Sequence, residues 1–204
     1  MKTIRTLVAL GITVGLVQGA PVTGRLWAVS NAVASNAILA NVPGTAPDVT
    51  FDVNAPLNFT VPGTVNQFLG SGGAFNIVGS AAALSSAISP SLIEFTGLVS
   101  VINGQTFTVT HDDGLTLTIG GLSVISTPGP TGPVQTTQTY TGPSGDFPFT
   151  LVYGECCGGS AVLQIDLPFR PSVSSVPEPA AVPLAISGCL VLGFLKLRFA
   201  LASK

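Results

Sequence analysis

The run His111-Asp112-Asp113-Gly114 gathers much of the chain's polar chemistry into four positions. Adjacent aspartates are hard, charged ligands of the kind calcium takes, with loop carbonyls completing a shell of roughly six to eight oxygens. Asp146, in Gly145-Asp146-Phe147, is a candidate third ligand from a facing loop. The same residues also suit plain turn chemistry, because an aspartate before glycine bonds nearby backbone amides. His111 is the only histidine. Strand alternation puts it on the face of Phe107 and Val109, as a half-buried, hydrogen-bonded residue and not a base.

Nothing else assembles into a catalytic set. Nucleophilic catalysis needs a base held against a serine or cysteine, with an acid to orient it, and no nucleophile-elbow motif is present. Glycoside hydrolysis needs two facing carboxylates. Glu94 and Glu155 are the only glutamates between 20 and 170 and have no acidic context, so they read as exposed strand or loop positions. The expectation is a protein that is not an enzyme. Cys156-Cys157 is either a vicinal disulfide in a turn or a pair of thiols, which could also bridge to another chain. A metal site there is disfavoured, since only His111 could add a nitrogen ligand.

Composition narrows the partners. Only 8% of the 204 residues are charged, against roughly 25% in average globular chains. Such a chain lacks the basic face that neutralises phosphates, which excludes nucleic acid. It also lacks the high charge and low hydrophobicity of disorder. The formal net charge of −2 conceals an uneven distribution. Between 20 and 170 two arginines stand against eight acids, a net of −6, while five of the seven basic residues lie at the two ends.

Those ends read as targeting segments. Lys2 and Arg5 precede an apolar run over 7–17, and small or permissive residues follow it. That is the grammar of a secretory signal peptide over 1–19, too short to be a stable span. At the other end a linker over 171–179 carries Pro177-Glu178-Pro179. An apolar stretch over 180–195 follows as a transmembrane helix, with Cys189 packed inside it, and Lys196, Arg198 and Lys204 close a cytoplasmic tail over 196–204. The expected protein is exported and held in the inner membrane by its C-terminus, with the ectodomain outside the cytoplasm.

The tripartite tail resembles the PEP-CTERM sorting signal, through Pro177-Glu178-Pro179, the apolar span and the basic end. The resemblance implies an exosortase as processing partner and a destination at the cell surface or in an exopolysaccharide or biofilm matrix. Lys196-Leu197-Arg198 departs from the family's tight arginine cluster.

Between the ends, over 20–170, the pattern is one of short strands and turns. Strands are predicted over 49–53, 57–61, 93–101, 106–111, 115–119, 122–125, 135–140, 147–153 and 161–167. An Asn103-Gly104 hairpin joins two of them, and Asp113-Gly114 and Gly120-Gly121 make further turns. A loop with Pro128, Pro130 and Pro133 must lie outside the sheets. The stretch 28–40 reads as strand or helix, and 81–88 as a helix. The fold class is all-β: a single, jelly-roll-like β-sandwich.

Glu94-Phe95-Thr96-Gly97, the run from Phe107 through Asp112-Asp113-Gly114 to Gly121, Phe149 to Tyr153 and Ala161 to Ile165 fall in a familiar order. They resemble the protective-antigen-type β-sandwich shared with yeast flocculins. The resemblance implies a calcium ion held by Asp112 and Asp113 through a cis peptide and contacting the hydroxyls of a glycan. A second calcium loop rich in Asn and Asp is not legible here. Two functions follow: calcium-dependent glycan binding, or a non-binding structural role in a matrix or surface layer.

Overall fold

The computed structural model of the protein describes residues 21–168. The expected signal peptide, the Pro177-Glu178-Pro179 linker, the 180–195 span and the basic tail lie outside the described residues. Among the described residues no helix is long and apolar enough to cross a membrane.

The described chain forms two antiparallel sheets. The first half supplies β1 (Val22–Ala28), β2 (Val49–Val53), β3 (Leu57–Phe59) and β4 (Phe75–Gly79). The second half supplies β5 (Ser91–Val101), β6 (Thr106–Asp112), β7 (Leu115–Ile119) and β8 (Leu122–Thr127). It ends with β9 (Val134–Thr139), β10 (Gly145–Glu155) and β11 (Val162–Ile165). One sheet runs β4-β2-β1-β5-β10-β7-β8, and the other β3-β11-β6-β9.

Period-two patterning builds the interior. β6 buries Phe107, Val109 and His111 and turns its threonines outward, while β7 buries Leu115, Leu117 and Ile119. These side chains meet Phe95, Leu151 and Leu163 in one core cluster fed by both sheets, the packing of a β-sandwich. In the middle of β1, Gly24 lies directly under the Phe51 ring, where any Cβ would overlap it.

Short helical segments flank the sheets, the first against Leu92 and Val152 and the next against the main core. Helix α1 (Asn31–Ala34) and a 3₁₀ turn over Leu39–Asn41 fill part of the ambiguous 28–40 stretch, whose first residue ends β1. Helix α2 (Val65–Ser71) starts at a reciprocal capping box, in which the Thr64 hydroxyl accepts the Gln67 N–H and the Gln67 amide oxygen accepts the Thr64 N–H. It buries Phe68, which stacks 4.9 Å from Phe59 and 6.1 Å from Tyr153. The predicted helix at 81–88 is α3 (Ala81–Ser85), capped by the Ser80 hydroxyl.

One turn differs from expectation. Asn103-Gly104 does not close a hairpin, because β5 and β6 belong to different sheets. The Gly104 N–H donates to the Tyr140 carbonyl and the Tyr140 N–H to the Gln105 carbonyl, which sends β6 to pair with β9. Asp113-Gly114 also carries the chain across the sandwich, from β6 to β7. Gly120-Gly121, both at positive φ, does close a hairpin, joining β7 to β8.

Candidate functional site

At the end of β6 the chain passes from the smaller sheet to the larger through Asp112 and Asp113. Both side chains are buried, and the peptide bond between them is cis. This is the backbone form that the flocculin-type resemblance implied. The Asp113 carboxylate ties two loops together. Its Oδ1 accepts the Thr131 N–H at 3.1 Å, and its Oδ2 accepts the Cys156 N–H at 2.7 Å.

Gly114 makes this junction possible. The Pro128 carbonyl lies against its α-carbon, in the space a Cβ would occupy. On the other side the Gly114 carbonyl accepts the Gly154 N–H at 2.9 Å. The proline-rich loop after β8 is therefore laid over the aspartate turn, and the end of β10 is drawn up beside it.

Beneath the turn lies a polar cluster. The His111 Nδ1–H donates to the Asp113 carbonyl, which can only accept, and this fixes the proton on that ring nitrogen. Nε2 sits 2.8 Å from the Thr136 hydroxyl. His111 is thus fully buried and bonded at both nitrogens, more enclosed than its half-buried expectation. Tyr153 Oη lies 2.8 Å from Glu155 Oε2 and bonds to the Asp112 carbonyl. A hydroxyl carries one proton, so a protonated Glu155 completes the chain: Glu155 donates to Tyr153, and Tyr153 donates to Asp112.

Electrostatics favours that protonated form. Burial pushes the Glu155 carboxyl up to about 8, and the charges of Asp113 and Asp112 add to the rise while the Tyr153 hydroxyl opposes it. Burial, then the Asp113 charge and a hydrogen bond with that carboxyl, push Asp112 up to about 6. Burial also raises Tyr153 well above its ordinary value. Arg25 is the only lysine or arginine among the described residues, and it pairs with Glu94 at 2.6 Å on the other side of the sheet order, in β1 and β5. No basic side chain of the described residues therefore balances the aspartates.

The carboxylates face an open cleft of about 430 Å³. Its walls are Pro130 to Pro133 on one side and Cys157 to Ser160 on the other. Cys156 and Cys157 are joined as a disulfide, with Cys156 buried and Cys157 exposed.

Comparison with known proteins identifies the architecture. No family model and no curated protein matches the chain. Among solved structures it is similar to the "PA14 sugar-binding domain from RTX adhesin", at 23% identity over 73% of this chain and 89% of that one, with a TM-score of 0.56. It is also similar to the PA14 domain of the antifreeze protein MpAFP, at 22% identity over 82% and 90%, with a TM-score of 0.58. The fold is that of the PA14 domains.

Within this PA14 fold the aspartate turn and both loops meet, but Asp146 does not join them. It is the second residue of β10, opposite Ser100, whereas Glu155 ends the same strand beside the site. Nine residues of extended chain separate the two by roughly 30 Å. The Gly145-Asp146 segment read as a loop because of its glycine, yet it already belongs to the strand. Among the described residues no group of three or more His, Cys, Asp or Glu side chains is placed to hold a metal. Any cation here would have to complete its shell with hydroxyls and backbone carbonyls.

The two glutamates also correct an expectation. Glu94 and Glu155 are both buried, the first against Arg25 and the second against Tyr153. The missing signal for Glu155 was alternation: Leu151, Tyr153 and Glu155 share a parity, and the first two are plainly interior types.

Proposed function

We propose that the chain is an exported, non-enzymatic carbohydrate-binding protein whose ligand site is the cleft over Asp112 and Asp113. Calcium bound by these two carboxylates would supply a hard cation to which adjacent glycan hydroxyls can coordinate. The donor chemistry fits. Two neighbouring carboxylates face the cleft, the Thr131 and Ser160 side chains line it, and no basic side chain of the described residues competes for the charge. Asp113 holds both flanking loops by their amides, so the walls of the cleft are fixed to the ligand residue itself. That a structural neighbour is described as a sugar-binding domain supports the same reading.

The carrying observation is the pair of adjacent carboxylates at the floor of an open cleft, one of them holding both walls. The destination follows from the sequence: sorting by an exosortase through Pro177-Glu178-Pro179, an inner-membrane stage, and then the cell surface or exopolysaccharide matrix. The deciding experiment is a glycan array of bacterial polysaccharides probed in calcium and again in EDTA. Binding only in calcium supports the reading, and no binding in either condition overturns it.

A structural matrix role is the second reading, favoured by the outer face of the smaller sheet. There Thr106 and Thr139, then Thr108 and Thr137, pair hydroxyl to hydroxyl across β6 and β9 at 3.4 and 3.0 Å. Such a hydroxyl-rich face, with Asp166 as a charged group at its border, suits packing with polymer or with a second copy. Self-association without array binding would favour it.

A further inference from the structure

Among the described residues no aromatic side chain lines the cleft. This matters for a sugar ligand, because a pyranose presents a rim of hydroxyls and a face of C–H groups. A concave site must meet the second with apolar surface as well as the first with polar groups. Here the hydroxyl side is served by Asp112, Asp113, Thr131 and Ser160. The apolar surface must come from elsewhere.

The loop after β10 supplies it. Cys157, Gly158 and Gly159 all sit at positive φ, of 67°, 76° and 118°. That region suits glycine and is uncommon for other residues, so Cys157 is the exception. Through these three positions the loop carries no side chain except that of Cys157, which is exposed and bonded to buried Cys156. Apart from the Ser160 hydroxyl, the exposed Cys157 half of the disulfide is consequently the side-chain surface that this wall shows to the cleft. Across from it stand the pyrrolidine rings of Pro130 and Pro133. Sulfur is soft and polarizable and packs well against weakly polar groups. The Cys156 N–H bond to Asp113 Oδ2 sets this surface at a fixed position relative to the carboxylates.

We propose that the Cys156–Cys157 disulfide is a ligand-binding platform, on which the C–H face of a pyranose rests while its adjacent hydroxyls turn toward Asp112 and Asp113. The proposal rests on the glycan-binding reading and names the ligand class for the same cleft: a pyranose with two neighbouring hydroxyls and one face free to lie flat. It also assigns the vicinal cysteines a contact role in place of a purely structural one.

The test compares the full-length chain with its Cys156→Ser/Cys157→Ser variant. The probes are the methyl glycosides of glucose, mannose, galactose and fucose, with binding read by saturation-transfer NMR in calcium. The variant is expected to keep the wild-type thermal shift on adding calcium and to lose tenfold or more in affinity for whichever probe the wild type binds. Should the double variant fold poorly, wild-type protein treated with tris(2-carboxyethyl)phosphine below its melting temperature gives the same comparison, with binding restored on reoxidation. Saturation in the wild-type complex should be strongest on the ring protons of one face. A disulfide-free chain that binds the probe within twofold of wild type overturns the platform and leaves the glycan reading intact. A variant that loses the calcium shift together with the probe also overturns it, because the disulfide then acts only by positioning Asp113. Wild-type protein that binds none of the probes and no polysaccharide on the array overturns both.

Discussion

The Cys156 N–H donates to Asp113 Oδ2 at 2.7 Å, so the loop leaving β10 is anchored to a side chain of the turn between β6 and β7. These two residues are 43 positions apart, and between them the chain crosses the sandwich repeatedly. The other oxygen of the same carboxylate holds the proline-rich loop at Thr131. One aspartate therefore fixes both walls of the cleft, whatever occupies it.

Removing that side chain should cost stability even without a ligand. Asp113→Ala leaves the part-buried N–H of Thr131 and the buried N–H of Cys156 without their acceptor; the buried orphan costs about 1–3 kcal/mol and the part-buried one less. A total loss of about 2–4 kcal/mol in urea unfolding, measured in EDTA, is expected. Asp113→Asn should fall between the two, because its amide nitrogen would meet one of the N–H groups donor to donor. A loss below about 0.5 kcal/mol for the alanine variant would show that the carboxylate does not hold the loops.

Calcium should raise the melting temperature of the wild-type chain, and magnesium and sodium should not. A ligand at 100 times its dissociation constant stabilises the folded state by about 2.7 kcal/mol. For a domain of this size that corresponds to roughly 5–10 °C. Asp112→Asn and Asp113→Asn are expected to abolish the shift. Asp146→Asn should leave it unchanged, because Asp146 stands at the far end of β10. Equal shifts with calcium and magnesium would sink the cation assignment.

Much of this architecture is written in local alternation. The expected strands at 49–53 and 115–119 coincide with β2 and β7 residue for residue, because each buries every second side chain. β1 is not legible in the sequence for a physical reason: its centre is Gly24-Arg25, suited to the Phe51 ring and the Glu94 carboxylate and not to strand propensity. β4 carries no buried residue, and Asn76 sits at φ 50° within it, so no buried stripe marks it as a strand. Helix α2 is only seven residues long, although its Thr64–Gln67 capping box was present to be read. At the site, the aspartate pair stood out by composition. Glu155 did not, because its burial depends on strand register and on Tyr153 beneath the turn.

A single methyl group at Gly114 should disturb the cleft from below. Its Cβ would overlap the carbonyls of Pro128 and Gly129, and backbone cannot swing aside as a long side chain can. Gly114→Ala is expected to cost about 1–3 kcal/mol by overpacking and to weaken calcium binding by lifting the proline-rich loop from Asp113. Gly44→Ala, where a Cβ meets nothing within 4 Å, is the matched control and should be near neutral. If both variants unfold at the wild-type urea midpoint, the loop does not rest on Gly114.

In metal-free buffer the domain should grow less stable as pH rises. Both shifted carboxyls are raised in the folded state, Asp112 from 3.8 to about 6 and Glu155 from 4.5 to about 8. The native state therefore holds protons that the unfolded chain has released, and stability falls with pH wherever the folded state binds more of them. The decline attributed to Asp112 runs from about pH 4 to about 6, and that attributed to Glu155 from about 4.5 to about 8. Urea midpoints measured in EDTA should thus be higher at pH 5.5 than at pH 8.5. Glu155→Gln keeps the shape and a donor toward Tyr153 but cannot ionise, so it should flatten the slope above pH 6 while leaving stability at pH 5.5 nearly unchanged. Asp112→Asn should flatten only the lower part. A Glu155→Gln variant with the full wild-type slope between pH 6 and 8.5 would mean that Glu155 is already ionised beneath the aspartate turn, and that Tyr153 gives its proton to the carboxylate instead of receiving one.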